Sequence, residues 1–199
     1  MSELSVTGIE QHLKEFIDPL TGNSIVSNKA LKNLTLVNGE LRVELILGYP
    51  AAGVKEQLEA EVAAHLQQLD GINSVEVTIS WIIKPHAVQK GVKLMNGVKN
   101  MVAVASGKGG VGKSTTSVNL ALALVAEGAR VGILDADIYG PSQPTMLGIS
   151  GRPSSPDGRT IQPMESHDLQ VMSVGFLVDE DTPMILRGPM VTQALGQLL

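Results

Sequence analysis

The stretch "VASGKGGVGKSTT", residues 104–116, decides how the chain is read. Within it, residues 107–114, "GKGGVGKS", fit the pattern G-x-x-x-x-G-K-[ST], with Gly107, Gly112, Lys113 and Ser114 at the defined positions. Glycines there let successive backbone N–H groups turn inward toward phosphate oxygens, and the positive end of a following helix adds to the pull. The flanks suit the motif. "MVAVAS" (101–106) reads as a buried strand, "KSTTSVNLALALVAEG" (113–128) as a helix stopped by Gly128, and "RVGILDAD" (130–137) as a second buried strand. Strand, loop, helix and strand form the nucleus of a parallel sheet, so the expected fold is an α/β P-loop NTPase. Lys113 is expected on the β- and γ-phosphates and the Ser114 hydroxyl on Mg²⁺, with Gly109, Gly110, Val111 and Thr115 completing the cradle.

The loop holds a second lysine, Lys108. A side chain at the start of such a loop projects away from phosphates held by its own backbone, so Lys108 is badly placed to duplicate Lys113. It either serves another molecule or is a solvated surface lysine. Downstream, "LDADIYGPSQPTMLG" puts Asp135 and Asp137 at the end of a strand beside the loop, where open α/β sheets place ligand-handling groups. Hydrolysis needs one carboxylate to orient water and another for the hydrated Mg²⁺, although an Asp at a strand end also commonly caps the next turn.

Upstream, "TGIEQHLKEFIDPLTG" offers a capping box in Thr7 and Glu10, then Ile9, Leu13, Phe16 and Ile17 at helical spacing, stopped by Asp18-Pro19. "LTLV" and "LRVELIL" flank Asn38-Gly39, a strong hairpin signal. Val54, Leu58, Val62, Leu66 and Leu69 mark a second helix, and "VEVTISWII" alternates as a half-buried strand. Residues 1–84 therefore read as a small α-β-β-α-β domain, 85–98 as a linker, and 99–199 as the amino-terminal part of the P-loop domain.

Composition removes several classes. A net charge of −5, from 15 basic and 20 acidic residues with no long run of either sign, argues against a nucleic-acid or membrane partner. The amino terminus has no signal-peptide core and no run reaches the length of a membrane span, which points to a cytoplasmic protein. With no cysteine, no disulfide or thiolate-held metal can form within these residues. His12, His65, His86 and His167 lack metal-ligand spacing and read as surface residues, while Met95, Met101 and Met172 read as core or linker packing.

"KGGVGKS" resembles the deviant Walker A signature shared by the nitrogenase iron protein, the partition and division-site ATPases and the Mrp/ApbC iron–sulfur carriers. The phrases "AVQKGVKLMNGVKNMVAVASGKGGVGKSTTSVNLALAL", "LDADIYGPSQPTMLG" and "ILRGPMVTQAL" are similar to the Mrp/ApbC carriers in particular, and "IDPLTGNSIV" to the small iron–sulfur assembly domain that precedes their ATPase. The resemblance implies an ATP-hydrolysing homodimer that takes an iron–sulfur cluster from an assembly scaffold and delivers it to apo-proteins. It implies that Lys108 reaches the partner's nucleotide, that Asp137 orients the attacking water and that Asp135 joins the Mg²⁺ shell.

Two features depart from that family. The assembly-type domain commonly has a cysteine near "LGYPAAG", and this chain has none, so a docking or scaffold role is expected for that domain. The family's cluster-binding C-x-x-C and its Walker B segment are missing, and the chain stops at "VTQALGQLL" within a helical pattern. The expectation is an amino-terminal fragment, itself inactive, of a longer carrier. The alternative is a partition- or division-type switch whose nucleotide-dependent dimer binds DNA or membrane, and a third reading is a nucleotide-binding scaffold that never turns over.

Overall fold

In a computed structural model, residues 5–86, 95–137, 140–158 and 160–177 are described. The "VTQALGQLL" pattern, all of "ILRGPMVTQAL", residues 138 and 139 of "LDADIYGPSQPTMLG" and the middle of the 85–98 segment lie outside them. The chain divides into two compact units between Met101 and Val102.

The first unit runs α1 (Val6–Glu15), β1 (Leu31–Val37), β2 (Glu40–Leu47), α2 (Lys55–Leu66) and β3 (Ser74–Trp81), the expected α-β-β-α-β order. Its sheet has the order β1-β2-β3, with β2 antiparallel to β1 and parallel to β3. Asn38 and Gly39 take φ of 52° and 83°, the left-handed pair a tight hairpin requires. The period of two in β2 turns Leu41, Val43, Leu45 and Leu47 inward. There they meet Ile9 and Leu13 of α1, Leu58, Val62 and Leu66 of α2, and Ile79 of β3. Each such side chain contributes about 1.5–3 kcal/mol through burial. On the outer face Arg42 pairs with Glu76 at 3.0 Å and Lys32 with Glu44 at 3.5 Å.

Three details differ from the sequence reading. The cap of α1 is Ser5, whose hydroxyl accepts from Gly8 N at 3.1 Å, so Thr7 lies inside the helix and not at its boundary. The helix ends at Glu15, before Asp18-Pro19: Phe16 is extended and Ile17, 55% exposed, bridges Ser24, while Asp18 is buried and its carboxylate accepts from Leu20 N, Thr21 Oγ1 and Tyr49 Oη. Burial first, then this bond, pushes the Tyr49 phenol up. His12 and His65, distant in sequence, stack face to face with ring centroids 4.2 Å apart. Each Nε2 donates to the other residue's backbone carbonyl, at 3.2 and 3.0 Å, which clips α1 to α2.

The second unit holds α3 (Lys113–Ala126), β4 (Val131–Asp135), α4 (Gln143–Met146), β5 (Met164–Ser166) and β6 (Leu169–Ser173). Its sheet has the order β4-β6-β5, with β4 and β6 parallel and in register from Val131↔Leu169 to Asp135↔Ser173. Val118 and Ala121 of α3 pack on Leu147, Leu169, Val171 and Phe176. Gly128, with φ of 85°, closes α3 as Gly128 N and Ala129 N return to Val125 O and Leu124 O.

The strand expected over 101–106 is not formed: Met101 and Val102 are 60% and 68% exposed, and no described residue pairs with the segment. A strand is held by ladder bonds to a neighbour, and among the described residues β4 bonds to β6 and to no other strand.

Candidate nucleotide site

Residues 107–112 turn into the amino terminus of α3. Gly110 and Gly112 have φ of 73° and 87°, a region where a side chain would be strained. A Cβ built at Gly107, Gly109, Gly110 or Gly112 would meet no heavy atom within 4 Å, so the loop borders open space on the side its glycines leave bare. Ser106 fixes the entry, its Oγ donating to Lys108 O at 3.0 Å and accepting from Lys108 N at 3.1 Å. At the exit Gly112 O accepts the first helical bond, from Thr116 N at 2.9 Å. The 14 residues of α3 then direct their dipole at the loop.

Lys113 Nζ donates to Asp137 Oδ2 at 2.9 Å, with the two side chains 30% and 42% exposed. This hydrogen bond first, then the charge of Asp137, raises the lysine's pKa and keeps it cationic. The structure thus joins the loop lysine to the second aspartate across 24 positions of sequence. Lys108 is exposed, and no carboxylate among the described residues pairs with it. Val111 stands out at 54% exposure, and Thr115 is exposed on the first turn of α3.

Asp135 sits differently. It is 6% exposed, and both carboxylate oxygens are engaged: Oδ1 accepts from Asp137 N at 3.0 Å, and Oδ2 from Gln143 N and Ser173 Oγ, each at 3.2 Å. Ser173 Oγ in turn accepts from Gly175 N at 3.1 Å. Gln143, 4% exposed, extends Nε2 to Ser114 O at 3.5 Å, while its Oε1 is buried without a partner. Neither Ser173 nor Gln143 was singled out from sequence. Ser173 lies in "LQVMSVGF", where nothing but the parallel register places it opposite Asp135.

The arrangement suits a polyphosphate: an open cradle of backbone, a helix amino terminus and a cation, Lys113, on the first residue of that helix. The Ser114 hydroxyl and the Asp135 carboxylate are oxygen donors of the kind that fits a hydrated Mg²⁺. No group of three or more His, Asp or Glu that could hold a metal ion occurs among the described residues, and no helix there is long and apolar enough to cross a membrane.

Residues 97–199 match the family model described as NUBPL iron-transfer P-loop NTPase, and residues 7–79 match the one described as iron–sulfur cluster assembly protein. An iron–sulfur cluster carrier protein of Escherichia coli K12 is 46% identical over 188 residues, covering 94% of this chain and 51% of that protein. One from Pseudomonas fragi is 57% identical over 136 residues, covering 67% of this chain and 47% of its own. One from Haemophilus influenzae is 44% identical over 192 residues, covering 96% and 52%. The chain thus spans about half the length of the curated relatives it matches.

Proposed function

The chain belongs to the family of iron–sulfur cluster carriers built on a P-loop NTPase, and on that premise we propose that it binds and hydrolyses Mg·ATP as a homodimer to drive delivery of a cluster. The observation that carries this reading is the 2.9 Å pair between Lys113 and Asp137 beside the open glycine cradle. Lys113 holds the β- and γ-phosphates, and their charge competes with Asp137 for the ammonium. The carboxylate so released accepts a hydrogen bond from the attacking water, whose oxygen bonds to the γ-phosphorus as the bond to the ADP oxygen breaks, yielding ADP and phosphate. Lys108 neutralises charge on the partner's nucleotide, as an arginine finger does. Mg²⁺, when bound, offsets the phosphate charge, and Ser114 and Asp135 are the residues that would hold it and its hydration shell.

The cluster is cargo, received from an assembly scaffold in the cytoplasm and passed to apo-proteins. Its thiolate ligands come from outside these residues, which contain no cysteine. The first unit, a match to the assembly-protein family without a cysteine of its own, serves as a docking module. Transfer of iron–sulfur from the loaded full-length protein to an apo-ferredoxin, followed by absorbance with and without Mg·ATP, tests the reading. Faster transfer with ATP is expected, and a rate indifferent to ATP in wild-type protein that hydrolyses it contradicts the coupling.

A further inference from the structure

We propose that Ser173 is a positioning residue for the phosphate site, acting through Asp135 on Asp137; the inference rests on the ATPase reading above. Ser173 is fully buried at the end of β6, opposite Asp135 in the parallel ladder. Its one hydroxyl proton goes to Asp135 Oδ2, and its lone pair takes Gly175 N–H, the first turn of the segment Val174–Phe176. Asp135 Oδ1 holds the backbone N–H of Asp137, and Asp137 Oδ2 holds Lys113. A continuous chain of hydrogen bonds therefore runs from the end of β6 to the loop lysine.

The geometry of that chain gives Ser173 leverage. Asp137 follows β4 by two residues and lies outside any helix or strand, so its direction depends on the bond from its N–H to Asp135. Asp135 has its carboxylate rotation fixed by donors on both oxygens, and among the described residues Ser173 supplies the side-chain donor while Asp137 and Gln143 supply backbone N–H groups. A neighbouring contact fixes the serine's own segment: a Cβ on Gly175 would lie 3.1 Å from Pro141, so the turn after β6 abuts the segment leading into α4. Removing the hydroxyl frees one oxygen of Asp135 to turn, and with it the bond that aims Asp137. The cradle and Lys113 remain, so the loss falls on turnover and not on nucleotide binding.

The test is steady-state and single-turnover ATP hydrolysis by full-length wild type, Ser173→Ala and Ser173→Thr, repeated in an Asp137→Asn background. Ser173→Ala is expected to lower kcat roughly tenfold with KM for ATP within about twofold, and Ser173→Thr, which keeps the hydroxyl, to recover most of it. In the Asp137→Asn background the effect of Ser173→Ala should shrink to less than about twofold, because the carboxylate that Ser173 helps to aim has already been removed. Additive losses in the two backgrounds, an unchanged kcat in Ser173→Ala, or a raised KM at constant kcat each overturn the proposal. Wild-type protein that neither binds nor hydrolyses ATP would instead remove the ATPase reading on which it rests.

Discussion

Lys113 and Asp137 pair at 2.9 Å, and that pairing predicts opposite effects on binding and chemistry. In Asp137→Asn the carboxylate no longer competes with phosphate for the ammonium, so ATP should bind severalfold more tightly while hydrolysis slows about 10²-fold or more for want of a charge to orient water. Fluorescent-nucleotide titration and single-turnover cleavage separate the two, and a wild-type cleavage rate rules out the role of Asp137. Lys108, exposed and without a carboxylate partner among the described residues, should show a different pattern. Lys108→Ala is expected to keep nucleotide affinity and lose roughly 10²–10³ in turnover, the signature of a group acting only on the transition state. A loss of affinity as deep as that of Lys113→Ala would place Lys108 in its own chain's site.

At the scale of elements, what sequence could foretell depended on how local the cause was. The hairpin at Asn38-Gly39 was legible because both residues tolerate the left-handed φ the turn needs, and α3 because its start at the loop and its Gly128 stop are encoded within it. The β5–β6 hairpin was not, since its turn is made by His167 and Asp168 at φ of 51° and 60° with no glycine to announce it. The strand expected at 101–106 failed for the converse reason: an apolar run specifies a strand only when a neighbour supplies the ladder. The site followed the same division. Its loop and Asp137 could be read from spacing, whereas Ser173 and Gln143 join it through tertiary register alone.

Two stability predictions belong to the first unit, whose Trp81 is the chain's one tryptophan and reports its unfolding. A Cβ on Gly39 would lie 2.4 Å from Asn73 Nδ2 at a φ of 83°, so Gly39→Ala should cost about 1–3 kcal/mol in a urea melt followed by Trp81 fluorescence. An unchanged midpoint would mean that the hairpin relaxes freely. The Tyr49 phenol is raised in the fold, mainly by burial and then by Asp18, so it favours folding below the ordinary tyrosine pKa of about 10 and loses that contribution as pH rises through the folded value. Stability should fall above about pH 10, and Tyr49→Phe should flatten that fall while lowering the plateau at neutral pH. An identical alkaline slope in the variant would assign the fall to other groups.

On the scale of the whole molecule, this chain belongs to a family of iron–sulfur cluster carriers built on a P-loop NTPase, yet it contains no cysteine. Anaerobic reconstitution of residues 1–199 with iron and sulfide should therefore yield no stoichiometric cluster, and a cluster with bound iron would show that other ligands suffice. The first unit and the P-loop unit match separate families, which fits a carrier in which docking and nucleotide handling are divided between domains. That division has meaning only if the loop at 107–115 is a working nucleotide site, and Lys113 is the residue on which it turns. The most direct measurement is equilibrium titration of a fluorescent ATP analogue, at fixed Mg²⁺, into full-length wild type and Lys113→Ala. Saturable binding by wild type that Lys113→Ala abolishes is the predicted result; equal affinity in the two proteins would contradict the assignment of the loop.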